Sequence, residues 1–390
     1  MTYSYHMSAT SLQLHGDREH LLAAILAADA VVPSTSSKPI LTNLMLDAKA
    51  AHLEINATDG QVGLRSVVRR VEILGVGQAV VNSRQLAMIL RESSSASASL
   101  SLEVSGEQSI LAIKLSDGDY SVPAIIGETF PPVSLFPSDV VPFAVSAKRL
   151  DDMLRRTTFA MDKERTSPTL SGLSLTIGSG ELVFAATDGK VLSESIEKHE
   201  AFHLPNGEKF AVVLPAVAVN HLGRILSAAP SAHEKVELAF AGKLAFLRLA
   251  IADGLTVEFI TRLVDGTFPA YRAALTNTTG QVAITFHTAQ LASAVRRVAL
   301  MTQQASRAIV MSLDHDQAMF SNMNYTNGSA RIPVSCQYSG APAKFGLNSQ
   351  YMSDILKVYT GEHIGIEISR GLIMREPGVT YLVMPISLPV

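Results

Sequence analysis

Two aspartates in matching surroundings are the first residues of this chain that could do chemistry together. Asp59 lies in LEINATDGQVGL and Asp188 in ELVFAATDGKVL, so Ala-Thr-Asp-Gly occurs at 57–60 and again at 186–189, each time between hydrophobic runs. Paired carboxylates are standard equipment for general acid–base catalysis. An Asp-Gly after a strand is first of all a turn, however, because Asp bonds its own backbone and Gly takes positive φ. LDHD, at Leu313–Asp316, holds metal-ligating residue types but falls where a hairpin turn is expected. The eleven histidines are scattered, with no His-Glu-x-x-His and no Cys/His cluster at metal spacing. Phosphate-cradling Gly-x-x-x-x-Gly-Lys-Ser and Gly-x-Gly-x-x-Gly loops are missing, and LSGLS is not a Gly-x-Ser-x-Gly elbow. The single cysteine, Cys336, sits in the strand-like RIPVSCQYS and reads as a buried structural thiol before a nucleophile. The sequence thus offers no active site and implies no cofactor or metal.

The elements that would position these residues repeat three times. Each unit opens on an amphipathic helix: DREHLLAAILAADA (Asp17–Ala30), AKRLDDMLRRTTFAM (Ala147–Met161) and TAQLASAVRRVALM (Thr288–Met301). A period near 3.6 with few glycines predicts helices. The spacing puts Leu22, Ile25, Leu26 and Asp29 on one face of the first helix. It groups Leu150, Met153, Leu154 and Thr157 in the second, and turns Leu291, Val295 and Val298 inward in the third. A hairpin region follows in each unit, with apolar alternation around Gly, Asn and Asp pairs; the third copy has NYTNG in place of ATDG. Second helices come next, in VNSRQLAMILRES, VLPAVAVNHLGRILSAA and GLNSQYMSDILKVYTG. Asn82-Ser83, Pro215 and Asn348-Ser349 supply their starts, evenly spaced along the chain. Further strands close the units in DYSVPAIIGETFPPV, VEFITRLVDGTFPAYR and TYLVMPISLPV. The expected fold is α+β: three tandem β-rich domains with two helices each, at 1–133, 134–272 and 273–390. PPVSLFPSDVVP reads as a junction, since proline cannot donate into a sheet. RESSSASASLSLEVSGEQ falls inside the first unit and predicts a polar loop entering an alternating edge strand.

A length of 390 residues favours two or three domains, and 47% hydrophobic with 17% charged residues describes a globular chain. One cysteine excludes an internal disulfide framework and fits a reducing compartment. The N-terminal MTYSYHMSATSLQLHGD lacks a basic region followed by an apolar core, and LLAAILAADAVV is interrupted by Asp29, so a cytoplasmic protein without membrane contact is expected. A net charge of −3 argues against a broad DNA-binding surface unless positive charge is segregated. The helices segregate it. KRLDDMLRRTTFAMDKER carries Lys148, Arg149, Arg155, Arg156, Lys163 and Arg165 against four acids, and TAQLASAVRRVALMTQQASR carries Arg296, Arg297 and Arg307 with none. The second helices add Arg84, Arg91, Arg224 and Lys357. Ordinary solvated helix faces bear such charges too, but threefold repetition on one scaffold favours a shared task. No aromatic residues interleave with these cations, which leaves sequence-independent attraction to phosphates rather than base stacking.

This order of parts resembles the bacterial DNA polymerase III β subunit, the processivity sliding clamp, over nearly the whole chain. ATDGKVL, LVDGTFPAYR, NSQYMSDIL and the terminal YLVMP carry the resemblance. It implies a ring-forming head-to-tail homodimer that encircles double-stranded DNA, with the basic helices facing the duplex, and no catalysis. It also implies a groove for short peptides of the DNA polymerase III catalytic subunit, the clamp loader and other clamp-binding-motif proteins. By motif, the groove wall would be Leu170, Thr187, Gly189, Lys190, Val191 and Leu192, extended by Pro269, Ala273, Ala274, Asn348 and Tyr351. Val383, Met384, Pro385 and Ile386 would form the floor. The ring contact would join Tyr120 and Val122 to Leu300 and Met301. The chain departs from the family at Val191 and Ala273, where arginine is common, and in the ending ISLPV. A diverged clamp paralogue with altered partners, accessory or drug-resistant, is the alternative, and an enzyme on a repeated β scaffold is a third reading.

Overall fold

The computed structural model describes residues 12–105, 108–204, 207–228, 235–276, 282–303, 306–323 and 328–388. Two compact units result: the described residues of Met1–Asp151 with Asn220–Leu263, and those of Asp152–Val219 with Val264–Val390. Each unit has one continuous antiparallel sheet, of 13 and 12 strands respectively among the described residues. The strands of the middle repeat divide between the two sheets. Phe143–Ser146, Lys235–Ala241, Leu244–Ala252 and Leu255–Arg262 join the first, while Leu173–Gly178, Glu181–Thr187, Val191–Lys198 and Lys209–Leu214 join the second.

Seven helices are described: α1 (Arg18–Asp29), α2 (Ser83–Glu92), α3 (Ala147–Thr157), α4 (Ala216–Ala228), α5 (Arg272–Thr276), α6 (Thr288–Ala299) and α7 (Ser349–Val358). Their starts follow from local chemistry. Asp17 caps α1 by accepting from the His20 amide at 2.9 Å, and Asn82 caps α2 through the Gln85 amide at 3.0 Å. Asn348 caps α7 at the Gln350 amide, 2.9 Å away, while α4 begins just after Pro215. The predicted inward faces of α3 and α6 are buried as expected: Leu150, Met153, Leu154 and Thr157 in one, Leu291, Val295 and Val298 in the other. Helix α1 is rotated from its predicted phase. Leu21, Ala24, Ile25 and Ala28 form its core face, and Leu22, Leu26 and Asp29 are only half-buried.

A second correction concerns Ser97–Ser105, predicted as an edge strand. It pairs on one side with Gln108–Leu115 and on the other with Gln13–Asp17, so the first strand of the chain covers the edge that RESSSASASLSLEVSGEQ was expected to leave open. LDHD makes the tight turn between Ala308–Asp314 and Gln317–Asn322, with His315 at φ 48°. Cys336 is buried, and burial followed by the nearby Asp316 pushes its thiol pKa up, as suits an unreactive group. Of NYTNG, only Gly328 falls among the described residues.

Successive repeats are stitched through their sheets. In the first unit Val62–Val68, which follows the first ATDG turn, pairs with Leu255–Arg262, the last strand of the middle repeat. Glu258 sits buried at that seam, with Arg65 Nε and Arg248 Nε both at 3.1 Å. In the second unit Val191–Lys198, which follows the second ATDG turn, pairs with Val379–Val383, the last strand of the third repeat. No described helix is long and apolar enough to cross a membrane.

Candidate functional site

The second ATDG turn is built as its residue types demand. Asp188 Oδ1 accepts from the amides of Lys190 and Val191, each at 2.8 Å, and Thr187 Oγ1 donates to the Val191 carbonyl at 2.7 Å. Gly189 adopts φ 86°, a conformation that disfavours any residue with a Cβ. The first copy repeats this bond for bond: Asp59 Oδ1 accepts from Gln61 and Val62, Thr58 Oγ1 donates to the Val62 carbonyl, and Gly60 has φ 92°. Both aspartates are therefore turn formers, and among the described residues no group of three or more His, Cys, Asp or Glu could hold a metal.

The outer oxygen of Asp188 does what a turn does not require. It accepts a 2.6 Å hydrogen bond from Tyr351 Oη of α7, so a helix of the third repeat is tied to a hairpin of the second. Burial, then this carboxylate, pushes the Tyr351 pKa well above the usual phenol value. Beyond the hairpin, the sheet carries the C-terminal segment alongside: Val191 lies opposite Val383, and the Met384 amide donates to the Lys190 carbonyl at 2.8 Å. Two residues on, the Ile386 amide donates to Gly346 at 2.7 Å, in the strand that leads to Asn348 and α7. The segment Pro269–Ala274 is held on the same strand by buried Glu194, which accepts from Tyr271 Oη at 2.7 Å and Arg272 Nε at 2.8 Å. Beneath it, Leu275 packs with Leu192, Ile373 and Leu382. Leu170 follows Thr169, whose methyl lies against Gly266, three residues before that segment.

These contacts bring the expected groove residues together, but not all as wall. Gly189, Lys190, Pro269, Ala273, Ala274, Met384 and Pro385 are exposed, and Leu170, Asn348, Tyr351 and Ile386 are half-buried. Thr187, Val191, Leu192 and Val383 are buried, Val191 at 1% and Val383 at 0% exposure, so they are bed rather than lining. The strands Val191–Lys198 and Val379–Val383 are covered on both faces here, so even consecutive side chains are buried. Met384, 38% exposed beside the turn, is the large apolar side chain at the surface here.

Of the twelve cations expected to face DNA, eleven are exposed: Arg84, Arg91, Arg149, Arg155, Lys163, Arg165, Arg224, Arg296, Arg297, Arg307 and Lys357. Arg156 is the exception. Its guanidinium is 12% exposed and lies 2.9 Å from Asp152 and 3.6 Å from Glu376, which makes it a packing residue. Several others are tethered at their tips: Lys163 and Lys357 approach Asp354 at 3.8 and 3.0 Å, and Arg307 donates to Gln350 at 2.6 Å. Asp162 accepts from the amides of Glu164 and Thr166 and so shapes the loop that presents Lys163 and Arg165. Of the expected ring-contact residues, Tyr120 and Leu300 are exposed and Met301 half-buried. Val122 is wholly buried.

Family comparison decides what this scaffold is. Residues 12–134, 144–270 and 277–387 match the N-terminal, central and C-terminal domains of the DNA polymerase III beta subunit. The chain belongs to that family. It is 25% identical over 365 residues to the beta sliding clamp of Chlamydia trachomatis, covering 92% of this chain and 83% of that protein. It is 26% identical to the beta sliding clamp of Caulobacter vibrioides, over 96% of this chain and 100% of that one. The crystal structure of the Pseudomonas aeruginosa DNA polymerase III subunit beta shares the fold, with a TM-score of 0.85 over 96% of this chain and all of that chain at 24% identity. Glu194, Tyr271 and Arg272, which fix the segment Pro269–Ala274 to its strand, were not among the residues expected from the sequence. The available signal was a glutamate at an inward-pointing strand position, which demands a partner.

Proposed function

We propose that this beta subunit is a DNA sliding clamp that closes head to tail as a homodimer around duplex DNA and tethers the replicative polymerase without catalysing a reaction. Its partners are the DNA polymerase III catalytic subunit, the clamp loader and other proteins bearing a clamp-binding motif, and it works in the cytoplasm. Short peptides of those partners dock with apolar anchors on Met384, Leu170 and Pro269, beside Tyr351 and the exposed turn at Gly189 and Lys190. The exposed arginines and lysines of the helices and adjoining loops meet phosphates weakly and without reading sequence, which suits a device that must slide.

The observation that carries this reading is the repeated seam. Twice, the strand after the hairpin turn of one repeat pairs with the last strand of the next. One matching pair is left over: Arg331–Gln337 of the third repeat and Gly118–Ile125 of the first. Most of each lacks a second neighbour among the described residues. A second copy, placed head to tail, supplies both missing partners and closes the assembly. The test is topological. After assembly on circular plasmid, the protein should stay bound through gel filtration and be lost once the circle is cut. Equal retention on circular and linear DNA would overturn encirclement.

A further inference from the structure

The first helix of each repeat follows its strand directly: α1 starts at Arg18, α3 at Ala147 and α6 at Thr288. Counted from those starts, the ninth and tenth residues are Arg155 and Arg156 in α3, and Arg296 and Arg297 in α6. In α1 they are Leu26 and Ala27. The first repeat has therefore exchanged a cation pair for two apolar side chains. They are not taken into the core, because Leu21, Ala24, Ile25 and Ala28 form that face and Leu26 and Ala27 remain half-buried.

Both residues instead line a cavity of about 660 Å³ within the first unit, a volume suited to a small organic ligand. Ala23 of α1, Ile225 of α4 and Ile251 of the strand Leu244–Ala252 complete its apolar walls. Two cations reach it, Arg84 from α2 and Arg224 from α4, and both are exposed. The acids at the cavity are already engaged: Asp29 accepts from the Ser83 hydroxyl, and Glu19 pairs with Arg18 at 3.2 Å. His20 is held as well, Nδ1 against Asp17 at 3.0 Å and Nε2 against the Asp253 carbonyl at 3.2 Å. Arg224 makes one long bond, 3.4 Å to the Ala30 carbonyl, and keeps the rest of its fork of donors for another acceptor.

We propose that this cavity binds a small amphipathic anion, its apolar chain or ring against Leu26, Ala27 and Ile225 and its carboxylate or sulfonate head between Arg84 and Arg224. An apolar body gains by leaving water, and a guanidinium fork of donors matches an anionic head that offers two or more oxygens. The site is separate from the partner groove, and because Arg84 and Arg224 are also among the cations proposed to face DNA, it is tested on the protein without DNA.

The full-length protein is titrated with 1-anilinonaphthalene-8-sulfonate, followed by fluorescence, and the dye is displaced with decanoate, decanol or decyltrimethylammonium. Decanoate should displace it at least about tenfold more effectively than decanol, and the cation least of all. The double variant Arg84→Gln/Arg224→Gln should reduce decanoate to the level of decanol. Ala27→Phe, which fills the cavity, should abolish saturable binding, and Met384→Ala in the partner groove should leave it unchanged. Leu26→Asp, which sets a negative charge in the apolar wall and repels an anionic ligand, serves as a second blocking variant should Ala27→Phe fail to fold. Equal potency of decanoate and decanol would overturn the proposal. So would undiminished binding in the blocking variants, or no saturable binding at all.

Discussion

Two aspartates that are identical within their turns differ in what their outer oxygens meet, and that difference separates the two copies of the motif. Asp188 receives Tyr351 at 2.6 Å, whereas Asp59 has His221 Nε2 at 3.9 Å, too far for a hydrogen bond. Removing the phenol oxygen should therefore cost the second copy only. Tyr351→Phe should lower unfolding stability by about 1.5 kcal/mol, the scale of a hydrogen bond to a charged acceptor, as read from denaturant midpoints. The same variant should weaken binding of a clamp-motif peptide, because α7 loses its tie to the hairpin. At the first copy the consequence is a pH dependence. Burial, reinforced by the Arg224 charge and opposed by Asp59, holds the His221 pKa below its ordinary 6.5. Above 6.5 the imidazole is neutral whether folded or unfolded and takes nothing from stability. As pH falls below that value the unfolded chain binds the proton first, so stability drops towards the lower folded pKa. On acidification from about pH 7.5 to about pH 5.5, the wild type should lose more thermal stability than His221→Gln. Parallel losses in the two proteins would show that another group governs the slope.

At the scale of elements, the hairpin turns make the sharpest comparison. Gly60 and Gly189 hold φ of 92° and 86°, and a Cβ added at either meets nothing within 4 Å. Alanine there is penalised by backbone conformation alone, so Gly60→Ala and Gly189→Ala should each cost about 1 kcal/mol, equally, with asparagine tolerated better. Unequal costs would mean that one turn is strained by its neighbours. Such turns were legible in the sequence because their chemistry is local: Asp, Gly and Thr act on residues two to four positions away. Helices α3 and α6 were legible for a related reason, since each has one apolar face set against charge. Helix α1 was not, because LLAAILAA is apolar all round and its periodicity fits several rotations; the choice is made by what packs on it. The place of Ser97–Ser105 in its sheet was hidden too, as its second neighbour, Gln13–Asp17, lies far back in the chain. The same distance concealed Glu194, whose partners Tyr271 and Arg272 are 77 and 78 residues away. The groove residues were named by resemblance, which located the segments but not the strand bounds that bury Val191 and Val383 while leaving Lys190 and Met384, just outside the strands, exposed.

For the whole molecule, the closing contact differs in kind from the seams inside the chain. The four strands of the internal seams, Val62–Val68 with Leu255–Arg262 and Val191–Lys198 with Val379–Val383, contain no proline. Each of the two strands left for the closing contact contains one: Pro123 in Gly118–Ile125 and Pro333 in Arg331–Gln337. Proline has no amide hydrogen, so it is tolerated where a strand has an open edge and it limits the ladder that edge can make. The intermolecular contact must then lean on side chains, of which Tyr120, 43% exposed, and Leu300, 78% exposed, are the large apolar ones at hand. We therefore expect a dimer of about twice 41.7 kDa that comes apart on dilution or in mild denaturant before either unit unfolds. Tyr120→Glu with Leu300→Glu should shift native mass to the monomer while leaving the unfolding free energy of the separated chains within about 1 kcal/mol of the parent, since neither side chain lies in the core. Light scattering across a concentration series reads the first outcome and calorimetry the second. A parent protein that stays monomeric at every concentration would remove the head-to-tail closure, and with it the only use that the fold offers for two matched, proline-bearing edges.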